Sequence, residues 1–138
     1  MKHVFRILFF FAAIHVALAD TSSPRAVLDA YIEACRVGDA DSLERLFHPD
    51  ALMSGFWSGE FYSGSPQPFF DEVRDNPSMA ETGAAYSARA EITDVTGDVA
   101  MGTIRESGYF GDDFTNHFHL VRINGEWQII AKTYMATQ

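Results

Sequence analysis

Residues 114–134 read FTNHFHLVRINGEWQIIAKTY, and this stretch decides the fold. Two runs rich in β-branched and aromatic residues flank Asn124-Gly125. Asn-Gly is the strongest short signal for a type I′ hairpin, because both central residues of that turn need a positive φ. Each arm has about nine residues, which is long for a β-strand. The sequence therefore predicts a long antiparallel hairpin close to the C-terminus.

The chain upstream of this hairpin divides into a helical half and a strand half. A helix start at Ser23-Pro24 precedes an apolar face, and Gly38 ends the helix. A short second helix follows, and Asn76-Pro77 stops a third. Ser58-Gly59 marks a small hairpin between the second and third helices. From Ala84 onward the apolar period is two, so the sequence predicts an α+β fold with three N-terminal helices on one face of an antiparallel sheet.

The first nineteen residues have the pattern of an export signal. Lys2 and Arg6 form a basic start, an apolar run follows over 7–18, and small residues stand at 17–19. We therefore predict a signal peptide over 1–19 and a single domain over 20–138, secreted or periplasmic. An uncleaved N-terminal anchor is the alternative. The remainder has no second apolar run, so we expect no membrane association after cleavage.

Charge and cysteine content exclude several classes of function. The chain carries a net charge of −9, and loss of Lys2 and Arg6 with the leader lowers this charge to −11. Such a balance disfavours nucleic acid and anionic membranes as partners, because both require basic patches. Cys35 is the only cysteine, so no internal disulfide can form. Twelve phenylalanines suit a lined pocket, a dimer interface or an aromatic core.

Two segments carry a resemblance to a known superfamily. Residues 31–51, YIEACRVGDADSLERLFHPDA, and residues 120–134, LVRINGEWQIIAKTY, resemble the first helices and the last hairpin of nuclear transport factor 2-like, ketosteroid-isomerase-like proteins. The chain looks most similar to their lumazine-binding, SnoaL-like branch. The resemblance implies a cone: a strongly curved sheet wraps around the helices and leaves a pocket at its open end. It also implies a homodimer through the outer face of the sheet.

The resemblance assigns three positions by analogy with the steroid isomerases of this fold. Those enzymes use a tyrosine and a protonated acid as oxyanion donors, with a second carboxylate as base (the ketosteroid isomerase case). The tyrosine corresponds to Tyr31, the acid to His119 and the base to Gly55. Because the base is absent, the resemblance does not predict steroid isomerase activity.

A different set of residues suggests acid–base chemistry. His117 and His119 share one face of a strand, and the resemblance places that face inside the cone. Together with Tyr31 they suggest a cofactor-independent lyase or isomerase, similar to dehydratases of this fold. A His-x-His pair also binds zinc when a third ligand such as His48 or Glu106 is near, but this spacing is a weak signal. We therefore expect no metal and no cofactor.

The pocket wall is predicted from aromatic and polar residues near the expected cone mouth. The predicted ligand-binding residues are Phe56, Trp57, Tyr62, Phe70, Tyr86, His48 and Glu106. Arg105 and Glu106 are neighbours in a strand, so only one of them faces the cone. Which one does so stays open, and the same choice applies to Lys132 and Arg122.

Three functions are compatible with these predictions. The first is an exported domain that binds a small, neutral aromatic or polyketide-like ligand. The second is a lyase or isomerase that uses His117, His119 and Tyr31. The third is a dimerisation module without a ligand, for which a cavity closed by phenylalanine and methionine side chains is expected. The second function requires both histidines and Tyr31 to share one water-filled space.

Overall fold

The computed structural model describes residues 18–137, so residues 1–17 of the predicted signal peptide lie outside the described residues. The helices are α1 (Pro24–Val37), α2 (Ala40–Leu46), α3 (Gln67–Asp75) and the single-turn α4 (Met79–Thr82). The strands are β1 (Phe47–Trp57), β2 (Glu60–Gly64), β3 (Ser87–Thr96), β4 (Val99–Tyr109), β5 (Asp112–Ile123) and β6 (Glu126–Thr137).

Helix α1 is bounded and oriented as its sequence predicts. The Ser23 hydroxyl accepts a first-turn N–H at its start, and Gly38 ends it in the left-handed conformation with φ 75°. Its inner face carries Val27, Leu28 and Tyr31, each at most 1% exposed. Burial of such side chains is worth about 1.5–3 kcal/mol each. The helix therefore holds Tyr31 in a fixed position against the sheet.

The six strands form one curved sheet in the order β2-β1-β6-β5-β4-β3. Except for β2 and β3, which lie at opposite edges, consecutive strands pair as antiparallel hairpins, and the predicted Asn124-Gly125 turn joins β5 to β6. The sheet is mixed at one place, because β1 runs parallel to β6. This pair differs from the antiparallel arrangement predicted throughout. The chain leaves β2 through two helices before the long meander begins, and the meander ends beside β1.

The helices cover one face of the sheet, and the core lies between the two layers. Tyr31, Phe118 and Ile129 are among its largest fully buried side chains. The predicted α+β class is thus confirmed, with three longer helices on the sheet and α4 as an additional turn. Among residues 18–137, no helix is long and apolar enough to cross a membrane.

Two β-bulges change which side chains face the helices. The pairing of β4 with β5 shifts between Glu106 and Tyr109, and both of these residues are buried. The pairing of β5 with β6 shifts where Ile130 is an extra residue between Ile129 and Ala131. A bulge adds one residue and so reverses the alternation beyond it. As a result, Ile129 and Lys132 are both buried although they are three positions apart.

Candidate functional site

A cavity of about 780 Å³ opens between the inner face of the sheet and helix α3. Its inner part is lined by Tyr31, Phe69, Glu106, Asn116 and Lys132. A volume of this size lies within the usual range for small-molecule sites, and apolar walls with a few polar groups are typical of them. The predicted pocket therefore exists, and its polar groups come from α1, β4, β5 and β6.

Lys132 is a buried charged residue of this cavity and has an unusual environment. The side chain is on β6 and the residue is 5% exposed. Its Nζ donates a hydrogen bond to Tyr31 Oη at 2.7 Å. The same nitrogen lies 4.2 Å from the centroid of the Phe69 ring and 5.5 Å from that of Tyr134. Lys132 forms no ion pair within residues 18–137.

The protonation of this pair follows from its burial. Burial lowers the pKa of the Lys132 ammonium from its ordinary value, against the opposing field of the Glu106 and Glu72 carboxylates. Burial also raises the pKa of the Tyr31 phenol well above its ordinary value. The tyrosine therefore keeps its proton, whereas the lysine loses its proton more readily than an exposed lysine does.

Glu106 forms a second polar group in the cavity wall. Tyr86 Oη donates to its Oε1 at 2.7 Å, and Asn116 Nδ2 donates to its Oε2 at 2.7 Å. Arg105, the neighbour of Glu106 in β4, is exposed on the other face. The open choice between these two residues is thus decided in favour of Glu106. Two donors fix the orientation of a carboxylate that is itself buried.

Two buried polar atoms in the cavity wall have no partner among the described residues. They are Tyr109 Oη and Asn116 Oδ1, and both residues line the cavity. An unpaired buried polar atom costs about 1–3 kcal/mol. A ligand that accepts from Tyr109 and donates to Asn116 would remove this cost. These two atoms therefore define hydrogen-bonding positions for a bound molecule.

The mouth of the cavity is acidic. Glu60, Asp71, Glu72 and Asp75 contribute to its lining, whereas no arginine does so within the described chain. Glu72 is half-buried, and burial raises the pKa of its carboxyl from the ordinary value. A carboxyl group with a raised pKa exchanges protons near neutral pH more effectively than an exposed one. The mouth repels anions and places one such group beside the entrance.

Four of the predicted site residues line the cavity: Tyr31, Glu106, Trp57 and Tyr62. Trp57 Nε1 donates to Asp112 Oδ2 at 2.6 Å, and this bond ties the β1–β2 hairpin to the start of β5. Tyr62 Oη donates to the Ser65 carbonyl at 2.7 Å. The aromatic wall of the mouth is therefore held in place by polar contacts.

The other predicted ligand-binding residues lie elsewhere. Phe70 is 6% exposed in the core and packs edge-to-face on Phe47. Phe56 is 46% exposed and does not line this cavity. Tyr86 lies behind Glu106 and contacts it, but does not line the cavity. His48 is near the start of β1, where its Nδ1 accepts from the Asp50 N–H.

The two histidines of β5 do not share the cavity with Tyr31. The inner face of β5 carries Phe118 and Asn116, which are 1% exposed, whereas His117 and His119 are exposed on the outer face. His117 Nδ1 lies 3.2 Å from Thr103 Oγ1. The prediction that they point inward is therefore wrong. Both faces of β5 carry large apolar residues, so alternation alone left the direction undecided. Among residues 18–137, no group of three or more His, Cys, Asp or Glu side chains is arranged to hold a metal.

Sequence reasoning missed the groups that dominate the cavity, above all Lys132. A signal was present, because the chain has two lysines, Lys2 and Lys132, and all its other basic residues except histidine are arginines. The direction of the Lys132 side chain could not be predicted because of the bulge at Ile130. Simple alternation from the buried Trp127 would place Lys132 on the outer face of the sheet. The bulge before Tyr109 hid that residue in the same way.

Comparison with known proteins places the chain in a family. It belongs to the family described as "Putative lumazine-binding", whose model matches residues 19–135, within the nuclear transport factor 2-like superfamily. The chain is 28% identical over 121 residues to a protein named Aldolase FrzH from Cladobotryum sp.. That similarity covers 87% of this chain and 94% of the relative.

Solved structures show the same fold. An NTF2-like protein of unknown function from Silicibacter pomeroyi DSS-3 is 27% identical, with a TM-score of 0.70, and the match covers 82% of this chain and 92% of that one. An NTF2-like protein of unknown function from Methylobacillus flagellatus KT has a TM-score of 0.73 at 22% identity, covering 91% and 98%. The second similarity concerns the fold alone.

Proposed function

We propose that the chain binds a small neutral carbonyl compound in the cavity and makes or breaks a carbon–carbon bond beside that carbonyl, as an aldolase does. One observation carries this proposal: Lys132, which is buried and has no ion-pair partner among residues 18–137, donates to the buried Tyr31 at the inner end of an aromatic cavity. Aldol chemistry needs a group that withdraws electrons at the carbonyl. Lys132 and Tyr31 form such a group.

The second requirement of an aldol reaction is a group that removes a proton from the neighbouring hydroxyl. Glu72 lines the cavity on α3, and burial raises the pKa of its carboxyl. Its carboxylate is therefore a stronger base than that of an exposed glutamate. In the reverse direction the same group returns the proton to the alkoxide that forms. The cavity thus supplies both an electrophilic partner and a base.

The aldolase relative supports the same reaction class. The similarity to Aldolase FrzH spans nearly the whole of both chains. That relative also keeps the proposal within the lyase class that the sequence suggests as an alternative. The proposed residues differ from those that the sequence suggested, because Lys132 and Glu72 take the place of His117 and His119 beside Tyr31.

The lining indicates a ligand that is neutral or positively charged, aromatic or polyketide-like. Trp57 and Phe114 pack edge-to-face with centroids 5.5 Å apart and form one wall. The acidic mouth repels anions. Tyr109 Oη and Asn116 Oδ1 are free, among the described residues, to bond to a hydroxyl or carbonyl group of the ligand. This pattern fits a flat compound with a few oxygen substituents.

Binding without turnover is the second candidate, and the aromatic wall favours it. A flat heteroaromatic molecule such as lumazine would stack against Trp57 or Phe114 and accept hydrogen bonds from Lys132 and Tyr31. The name of the family points to the same ligand class. A dimerisation module without a ligand is less well supported, because the cavity is open and large.

One experiment separates these candidates. The purified chain is titrated with lumazine and, separately, supplied with an aryl β-hydroxy ketone whose cleavage releases a fluorescent aromatic aldehyde and a ketone. We expect cleavage above the rate in buffer, and we expect lumazine to slow it competitively. Saturable binding of both compounds without cleavage supports the binding protein instead. If neither compound binds, the proposed ligand class is wrong.

We also propose export, because the leader pattern over residues 1–19 ends where the family match begins. The test is N-terminal sequencing of the full chain after expression with secretion in a host. A mature N-terminus at Asp20 is expected. An exported protein that still begins with Met1 contradicts cleavage of this leader. If all of the protein stays inside the cell, export itself is contradicted.

A further inference from the structure

We propose that Lys132 is a nucleophile that forms a covalent imine with the carbonyl carbon of a ketone or aldehyde bound in the cavity. This inference rests on the proposed carbonyl function and goes beyond it. Aldol chemistry also proceeds through a hydrogen-bonded enolate with no covalent bond to the protein. The surroundings of Nζ favour the covalent route.

Among the residues that the structure describes, Lys132 has no close counterion. A buried ammonium that serves only as a fixed charge needs a close carboxylate, because burial of an unpaired ion costs several kcal/mol. Lys132 has no ion-pair partner within residues 18–137, and its one hydrogen bond goes to the neutral Tyr31 hydroxyl. Such surroundings favour the neutral amine, whose nitrogen lone pair can attack a carbonyl carbon.

Lys132 is accessible to a bound ligand, and it is a lysine rather than an arginine. Lys132 lines the cavity, so a bound ligand reaches it. Lys132 is the only lysine in residues 18–137, where the other strongly basic side chains are all arginines. A guanidinium stays protonated at all ordinary pH values. Lys132 is therefore the one side-chain amine in residues 18–137 that could attack a carbonyl. An arginine at this position would hold an anion better but would not react.

The covalent step balances without a cofactor. The amine adds to the ketone to give a carbinolamine, which takes up one proton from Tyr31 and loses one water to give the iminium ion. In a β-hydroxy ketone, Glu72 takes the hydroxyl proton, the carbon–carbon bond breaks, and its electron pair moves to the iminium to form an enamine and an aldehyde. Protonation of the enamine carbon by Glu72 regenerates the iminium ion, and addition of water then releases the ketone, the free amine and one proton.

Tyr31 acts as a proton donor in this sequence. Its hydroxyl lies 2.7 Å from Lys132 Nζ. A carbinolamine formed at this nitrogen would place its oxygen next to the same hydroxyl. Because its phenol stays protonated, it can donate to this oxygen as water leaves. Tyr31 regains its proton from solvent, and hydrolysis of the iminium ion later returns one proton to solvent. Tyr31 is thus placed to accelerate imine formation and hydrolysis.

The test uses 1-phenylbutane-1,3-dione, a 1,3-diketone that condenses with a neutral amine to give a stable, ultraviolet-absorbing enaminone and one water. The purified full chain is incubated with this probe between pH 6 and 9 and analysed by intact mass and peptide mapping. We expect one adduct per chain, of the diketone mass less one water, on the peptide that contains Lys132. No adduct, or an adduct only on Lys2 or the N-terminal amine, overturns the proposal.

Variants separate the covalent route from a merely structural lysine. K132M and K132R should both form no adduct at this position, although K132R keeps the cation. Y31F should keep the adduct but form it about 100-fold more slowly, as expected for the loss of a proton donor. An equal rate in Y31F contradicts the role given to that hydroxyl. Mapping on the wild-type chain decides the main point even if a variant does not fold.

The outcome also separates this inference from the proposed function. Cleavage of the aryl β-hydroxy ketone without an enaminone, and without an adduct after reduction by cyanoborohydride, disproves the imine and leaves the aldolase proposal intact. An enaminone on Lys132 without cleavage of the hydroxy ketone supports the imine and contradicts the aldolase proposal. Failure of both reactions overturns both.

Discussion

Two opposing effects determine the charge of Lys132. Burial of an ammonium in an apolar site costs several kcal/mol, whereas a cation over an aromatic ring recovers about 0.5–2 kcal/mol. The closest ring, Phe69, lies 4.2 Å away, and the other two lie beyond 5 Å. The burial cost is larger than what these rings return. The pKa of the amine is therefore lowered, and protonation of Lys132 destabilises the folded protein.

The first prediction concerns stability against pH. The unfolded chain binds the Lys132 proton more tightly than the folded chain, so the folded state loses stability as pH falls below the ordinary lysine pKa of 10.5. The difference in unfolding free energy between K132M and wild type should therefore grow on acidification, by about 1.4 kcal/mol for each pH unit between the two pKa values. Urea unfolding of both chains from pH 7 to 10 measures it. A constant difference contradicts a lowered pKa.

The second prediction concerns the two outward histidines. The double variant H117A/H119A should cleave the aryl β-hydroxy ketone within about twofold of wild type, because neither side chain lines the cavity. Y31F serves as the positive control and should lose about 100-fold in rate. A loss in the histidine variant as large as that in Y31F would show that the outer face takes part in the reaction.

At the scale of elements, the bulges decide which residues form the cavity. Sequence alternation correctly identified β4, β5 and β6 and the turn at Asn124-Gly125. It could not locate the extra residues at Ile130 and at Gly108, because a bulge is set by pairing with the neighbouring strand rather than by local pattern. For this reason Glu106, which precedes its bulge, was identified, whereas Lys132 was left undecided.

The third prediction tests the bulge in β4. Gly108 has a φ of 79°, and a Cβ placed there would lie 2.1 Å from the Ala85 carbonyl oxygen. G108A should therefore destabilise the chain by about 3 kcal/mol, through both backbone strain and displacement of a neighbouring strand end. The same change should lower cleavage, since it disturbs the adjacent Tyr109.

The matched control for this variant is G97A, at the turn between β3 and β4. Gly97 also has a positive φ, of 59°, but a Cβ there meets nothing within 4 Å. Only conformational strain applies, so about 1 kcal/mol should be lost. Thermal or urea unfolding compares the two variants. Equal losses would mean that close packing at Gly108 does not hold the bulge.

At the scale of the whole molecule, the outer face of the sheet is too apolar for a surface in water. Val99, Met101 and Met135 are 52%, 41% and 52% exposed there, near the two histidines. Exposed apolar patches of this kind mark contact surfaces. We propose that a second copy of the chain covers this face, as the resemblance to the superfamily suggests.

The fourth prediction tests this homodimer. M101D should weaken dimerisation at least about tenfold, because a carboxylate would be buried without a partner. V37D is the control, since Val37 is 39% exposed at the end of α1, on the helical side. Light scattering after size exclusion measures the mass of each variant. A monomeric wild type, or equal behaviour of the two variants, contradicts the proposed interface.

Much of the fold could be predicted from the sequence, because helix caps, apolar periods and the Asn-Gly turn are local signals. The parallel contact between β1 and β6 joins distant parts of the chain, and no local pattern encodes it. The cavity was predicted from its aromatic residues, such as Trp57, and from Tyr31. Its chemistry was assigned to the wrong side chains, because the direction of β5 and the bulge in β6 arise only when the sheet forms.

The catalytic role of Lys132 is tested most directly by the rates at which wild type and K132M cleave the aryl β-hydroxy ketone. Both rates are measured at a saturating concentration of the probe, and circular dichroism verifies that both chains are folded. We expect cleavage by wild type above the rate in buffer and a loss of about 1000-fold or more in K132M, typical of removing a catalytic nucleophile. Equal rates in the two folded proteins would contradict this role.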